Sequence, residues 1–314
     1  MRVFVAGATG AIGRPLVAQL LAQGHTVVGT TRSPERARDL EATGAVAAVL
    51  DAFDADALRS AVLDARPDVV VHQLTALSAP LKPRRYAEWL ATTNRLRTEV
   101  TPVLLDAART AGAQRFVAQS VSFVLAFEGP MIGDERSKDA RDAPEPFGTV
   151  VRANLAMESA VTGAADIEGV VLRYGYFWGP GTSIGRGGQQ AEDVRRRRLP
   201  VVGSGDGRFS LVHVEDAARA TVLALDRGAP GIYNVVDDEP AAQREWVPAL
   251  AAALGAPPPR RVPAWLARVV AGSFFPAMAE QQRGSSNAKA RRELEWVPEH
   301  RTWRESFGAP GALG

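Results

Sequence analysis

The sequence contains no cysteine, which excludes a disulfide framework, a thiolate zinc site and a cysteine nucleophile; no metal site is expected. Lysine is nearly missing too. It occurs only at Lys82, Lys138 and Lys289, so most of the 37 basic residues are arginine. Charge of one sign is not in excess: 35 acidic residues leave a formal net charge of +2, which argues against a general nucleic-acid binder. No apolar run is long enough to cross a bilayer, and no membrane partner is expected. The chain opens on a short apolar strand, so a cleaved leader is not expected, and these absences together fit a cytoplasmic protein. What is abundant is apolar. Hydrophobic residues make up 46% and charged residues 23% of 314, enough for an α/β domain with a second lobe.

Strand and helix patterns alternate along the first half. Arg2–Ala6 is a continuous β-branched and aromatic run, as a strand buried on both faces should be. Leu16, Leu20 and Leu21 predict a helix over Pro15–Gln23, stopped by Gly24. Strands are predicted at His25–Thr30, Ala45–Leu50, Asp68–Gln73, Arg115–Gln119, Gly169–Leu172 and Ile232–Val236. Helices are predicted at Pro34–Ala42, Ala55–Ala65 capped by Asp54, Tyr86–Ala111, Val150–Thr162, Arg244–Leu254 and Ala264–Ala271. Such alternation means a doubly wound parallel sheet covered on both faces. The pattern loosens from Trp178 onward, where a smaller C-terminal lobe is expected to close over the strand ends.

The strongest motif follows the first strand: Gly7, Gly10 and Gly13, at spacing three, opening a helix. Gly7 permits the tight turn, Gly10 leaves room for a pyrophosphate, and Gly13 brings helix and strand together. Amides along Thr9, Ala11 and Ile12 and the positive helix end would then meet the phosphates. The second strand ends in Thr30-Thr31-Arg32-Ser33, with Arg36 a turn further on and no acid to accept from a ribose 2′-hydroxyl. Arg32 is therefore expected to pair with a 2′-phosphate, favouring NADP(H) over NAD(H); the plainer alternative is a solvated arginine. Asp51, followed by Ala52, is placed to meet the adenine amino group or simply to make a turn. Leu74-Thr75-Ala76 are expected to line the adenosine ribose and phosphates.

These pieces resemble the short-chain dehydrogenase/reductase superfamily, in its extended or atypical NAD-dependent epimerase/dehydratase-like branch. The resemblance rests on VAGATGAIG (5–13), LDAFD (50–54), RFVAQS (115–120), VVLRYGYFWGPG (170–181), GSGDGRFSLVHVEDAARA (203–220), GIYNVVDDEP (231–240) and NAKARRELEWVPE (287–299). It implies a Rossmann-type core over residues 1–177, with 210–236 returning to it. Residues 178–209 and 237–314 would form the substrate-binding lobe. It also implies a small-molecule substrate and a homodimer seam on helices Thr93–Ala111 and Val150–Thr162.

The departure from the family pattern bears on the chemistry. Such enzymes carry a tyrosine and, four residues later, a lysine; the lysine lowers the tyrosine's pKa, and the tyrosine acts as acid or base. Setting Glu158 at the glutamate that usually follows puts Asn154 at the lysine position and Val150 at the tyrosine position. Val121, flanked by Ser120 and Ser122, takes the serine or threonine position. The catalytic candidates are then Ser122, Asn154 and Tyr176, with Ser120 and Tyr174 expected beside the cofactor. Tyr176 is weighed as a substitute proton donor or a pocket wall, and Ser122 as a carbonyl contact or a satisfied hydroxyl. His72 and His213 are expected to be structural, Arg195–Arg198 a solvated helix end, Gly185–Gln189 a flap or a plain loop, and Arg208 a possible phosphate contact. The tryptophans of the second half are expected to be core anchors. The predicted activity is an NADP(H)-dependent oxidoreductase with a non-standard proton donor. Two alternatives stay open: a redox-neutral cyclase, isomerase or dehydratase holding the cofactor structurally, and a non-catalytic NADP(H)-sensing protein.

Overall fold

The structure, a computed structural model, describes residues 1–77, 79–81, 83–309 and 313–314. Its centre is a sheet of seven parallel strands. These are β1 (Arg2–Ala6), β2 (Thr26–Thr31), β3 (Val46–Val49), β4 (Val69–His72), β5 (Arg115–Val121), β6 (Glu168–Tyr174) and, beyond a series of shorter strands, β9 (Gly231–Val235). Two of the shorter strands, β7 (Tyr176–Trp178) and β8 (Leu211–His213), pair with each other in parallel. The main sheet runs β9-β6-β5-β4-β1-β2-β3, so the order reverses beside β1, where an open α/β sheet leaves its ligand crevice.

Alternation along the strands assigns the two faces. Val3, Val5, Val71, Val117 and Leu172 pack with Leu16 and Leu20 of α1 (Gly13–Ala22) and Ala217 of α8 (Val214–Leu223). Phe4, Val70, Phe116 and Val171 face Leu58 of α3 (Ala55–Ala65), Leu104 of α5 (Thr101–Thr110) and Met157 of α6 (Phe147–Thr162). α1 begins two residues earlier than its apolar spacing predicts. Pro15 lies in its first turn, where a missing N–H costs no bond. The long predicted helix is also divided: α4 (Tyr86–Arg95) passes through a π turn at Leu96–Val100 into α5. Pro102 cannot donate to the carbonyl four residues back, and the wider turn accommodates it.

The lobe has its own core, in which Trp178, Trp246, Trp303 and Phe209 meet Tyr86, Phe147 and Val150 from the first half. Trp296 instead joins the core beneath α1, and Trp265 is a correction to the expectation, being 66% exposed. The lobe also carries α9 (Gln243–Ala253), α10 (Ala264–Ala271) and α11 (Phe274–Gln281); α11 has no counterpart in the predicted helices. Arg195 closes α7 (Gln189–Arg195), and Arg196–Arg198 are exposed beyond it, a solvated helix end as expected. Gly185 packs on Gly179, where a Cβ would lie 2.1 Å from the Gly179 carbonyl oxygen. That start of the expected flap is a packed turn. No helix among the described residues is long and apolar enough to cross a membrane.

Candidate active site

One end of the site is built from backbone. Gly7 adopts φ +96°, and a Cβ on Gly13 would lie 2.2 Å from the Gly7 carbonyl oxygen, so only glycine lets α1 start this close to β1. The turn is tied to β2 by Gly7 N–H donating to Thr30 Oγ1 at 2.9 Å, and Thr9 lies 3.4 Å from Thr31 Oγ1. No side chain caps α1, its first turn holds no acid, and Ala11 and Ile12 donate to no carbonyl of the described residues. That set of open donors at a helix N-terminus fits a pyrophosphate. Arg32 and Arg36, both exposed, form no ion pair with a described residue, and Ser33 caps α2 (Pro34–Glu41) between them. Asp51 accepts from the Phe53 amide with one oxygen and is exposed, beside buried Ala52. After β4, Leu74 and Ala76 are half-buried and Thr75 is exposed. These residues stand at the ends of the adjacent strands β3, β2, β1 and β4.

The other end is built from side chains. α6 contains neither tyrosine nor lysine; Val150 is buried in the lobe core, and Asn154 follows one turn later. Asn154 is fully buried, its amide donating to the Val150 carbonyl at 2.8 Å and its oxygen facing Ser120 Oγ at 3.3 Å. Ser120 Oγ donates to Glu158 at 2.6 Å, and Glu158 is held by Arg173 through two bonds of 2.8 and 2.5 Å. A buried carboxylate is tolerated only with such compensation. Tyr176 is half-buried, its ring stacked 4.6 Å from Phe123 and its hydroxyl donating to Gln282 at 3.0 Å. Burial, reinforced by Tyr86, holds that hydroxyl well above its ordinary pKa.

Several expected site residues are therefore corrected. Tyr174 is fully buried beneath the α1 face, bonded to Thr221 at 2.6 Å and Gln73 at 3.3 Å, because strand alternation turns it away from Arg173 and the α6 face. It offers no surface to a cofactor. Ser120 and Asn154 are locked into the Glu158–Arg173 network and present no free group to a ligand. Ser122 is buried and accepts the Ser285 hydroxyl through its carbonyl at 3.1 Å. Arg208, weighed as a phosphate contact, is half-buried and lies 4.0 Å from Glu245. His72 is structural as expected: it contacts Thr101 Oγ1 at 3.1 Å and accepts from the Leu74 amide, and burial lowers its pKa to about 4. His213 caps α8 and stacks on His300 at 3.7 Å.

Other groups carried little sequence signal. Thr30 shows its role only once β1 and β2 pair. Gln73 has a sealed, unpartnered Oε1. Tyr86 and Arg97 had a signal: the spacing Tyr86, Leu90, Thr93, Arg97 puts a cation on the inner stripe of a helix. A groove of about 500 Å³ runs along α6 and is bordered by Glu158 and Arg173 of the buried network and by Ile232 of β9.

A parallel sheet with this turn and crevice defines a Rossmann-type dinucleotide-binding protein. The match is specific: residues 3–235 fit the family model described as the NAD dependent epimerase/dehydratase family, and the chain belongs to that family. It is 46% identical over 309 residues to 3-diazoavenalumate denitrifying reductase of a Streptomyces species, covering 98% of this chain and 99% of that one. It is 28% identical over 278 residues to 2-alkyl-3-oxoalkanoate reductase of Stenotrophomonas maltophilia, covering 82% and 77%. Thermus thermophilus UDP-glucose 4-epimerase, solved with NAD, superposes with a TM-score of 0.75 at 24% identity, covering 100% and 98%. The family and its reductase members make this chain an oxidoreductase of the nicotinamide-dependent kind.

Proposed function

We propose that the protein is an NADP(H)-dependent reductase that acts on the diazo group of an aromatic acid and needs no side-chain proton donor. The observation that carries this is α6, where Val150 and Asn154 leave neither an acid nor a cation to tune one. The full-length relative, whose name makes it a denitrifying reductase of a diazo compound, supports the same reading. The turn Gly7–Gly13 would hold the pyrophosphate, and Arg32 with Arg36 the 2′-phosphate, since both guanidinium groups are exposed and uncommitted. When bound in reduced form, the cofactor would supply a hydride, and on an arenediazonium this would replace the aryl–nitrogen bond by an aryl–hydrogen bond with loss of dinitrogen and no need for a proton.

The chain's own residues then have to bind and orient a flat ring and keep water away. Phe123, Tyr176 and Phe209 form an aromatic wall, with Tyr176 5.3 Å from Phe209. The alternative that Tyr176 gives up a proton is disfavoured, because its hydroxyl is donated to Gln282 and burial makes it a weaker acid. The test is to supply a diazotised aminohydroxybenzoate with NADPH or NADH and follow reduced-cofactor loss and dinitrogen release. One dinitrogen per NADPH is expected, with NADPH preferred. Turnover of ketones but not of the diazo acid would overturn the proposal.

A further inference from the structure

Among the described residues four arginines are nine-tenths or more buried, and three of them each bond two or more acceptor atoms through at least two nitrogens. Arg115 bonds Glu168 and the carbonyls of Ala224, Arg227 and Gly228. Arg173 grips Glu158, and Arg283 bonds the carbonyls of Pro130, Ala126 and Glu128. Arg97 is 5% exposed and differs. Among the described residues its one hydrogen bond is to Asn94 Oδ1 at 3.2 Å, and no carboxylate lies within ion-pair distance. None of its nitrogens is among the sealed, unpartnered polar atoms, so its uncommitted N–H groups open on accessible space. Burying a guanidinium without a counter-ion is unfavourable, and the arrangement is complete only when an anion arrives.

A second uncommitted group lies on the same helix stripe. Tyr86 is 8% exposed, and its hydroxyl bonds no described residue. Its ring stacks on Phe274 at 5.0 Å and meets Phe275 edge-on at 5.4 Å, so it faces the lobe. The two groups feel each other: burial lowers the Arg97 pKa to about 10, and Tyr86 and Glu158 draw it back up, leaving it charged at neutral pH. Tyr86 shares a packed cluster with Phe209, against which Tyr176 also packs, and this ties the pair to the aromatic wall.

We propose that Arg97 and Tyr86 form the subsite for the carboxylate of the aromatic substrate, the guanidinium pairing with the anion and the tyrosine hydroxyl donating to it. This rests on the reading of the substrate as an aromatic acid. The pair anchors the ring from the α4 side and leaves its far end free to reach the strand-end crevice.

The test is binding rather than turnover. Calorimetric titration of the NADP⁺-loaded protein with 4-hydroxycinnamate and with its amide measures preference for the anion. The wild type should favour the carboxylate about tenfold or more, the value of one charge-assisted contact. Arg97→Gln should abolish the preference while leaving amide binding and NADP⁺ affinity unchanged; Arg97→Lys should keep part of it. Tyr86→Phe should weaken only the carboxylate, by about threefold. If Arg97→Gln does not fold, the lysine and phenylalanine variants carry the test. An unchanged preference in the variants overturns the proposal, as does a loss of NADP⁺ affinity with the preference intact. A wild type that binds the carboxylate through Arg97 but releases no dinitrogen refutes the diazo reading and leaves this subsite standing.

Discussion

The two ends of the crevice are made of different material. At the β1–β2–β4 end the contacts are main-chain amides held by glycines, and the side chains that matter, Arg32 and Arg36, stand free at the surface. At the β5–α6 end the polar side chains are buried and bonded to one another, as in the Ser120–Glu158–Arg173 network. The first end is a general device for a dinucleotide. The second offers buried groups already bonded to one another, while Arg97 and Tyr86, on α4 and its π turn, keep polar atoms uncommitted among the described residues.

Substitutions at each end should therefore fail in different ways. The largest effect is expected from Gly13→Val. Its Cβ would sit 2.2 Å from the Gly7 oxygen, forcing α1 off β1. Cofactor affinity should fall by about thirtyfold or more, from about 2 kcal/mol of overpacking; wild-type affinity in a fluorescence titration would break the comparison. Arg32→Ala should come next, weakening NADPH about tenfold to a hundredfold and NADH little, consistent with a lost charge-assisted bond. Equal losses for both cofactors would mean that Arg32 does not read the 2′-phosphate.

A third prediction concerns His72, at the end of β4 between the two regions. Its folded pKa, about 4, lies below the unfolded value near 6.5, so the unfolded chain binds more protons in that interval. Its contribution is complete above pH 6.5 and is lost as the pH falls towards 4, amounting to about 3 kcal/mol. Urea titrations across that interval should show His72→Gln losing less stability than the wild type; parallel curves would contradict the assignment. The smallest effect is expected from Tyr176→Phe. A wall residue should cost less than about fivefold in kcat, whereas a general acid would cost a hundredfold or more.

Legibility followed the same division. The glycine turn was readable because its function lies in the backbone, and spacing alone encodes a backbone shape. The central strands of the main sheet were readable because they are short and buried on both faces, whereas the edge strand β3 is exposed at Val46 and Val49. The reaction end was misread at Tyr174, since the sequence does not say which face a residue takes where a strand runs into the next. Ser120 and Asn154 were misread because Ser120 meets Asn154 and Glu158 only once α6 packs on β5. The π turn was hidden by helical patterning on both sides, and with it the placement of Arg97.

The claim that no side chain supplies a proton is tested most directly by the solvent isotope effect on kcat/KM. With NADPH and a diazotised aminohydroxybenzoate, rates in light and heavy water should agree within experimental error across pH 6–9 and be unaltered in Tyr176→Phe. A rate twofold or more lower in heavy water, abolished by that substitution, would restore Tyr176 as the acid and contradict the account.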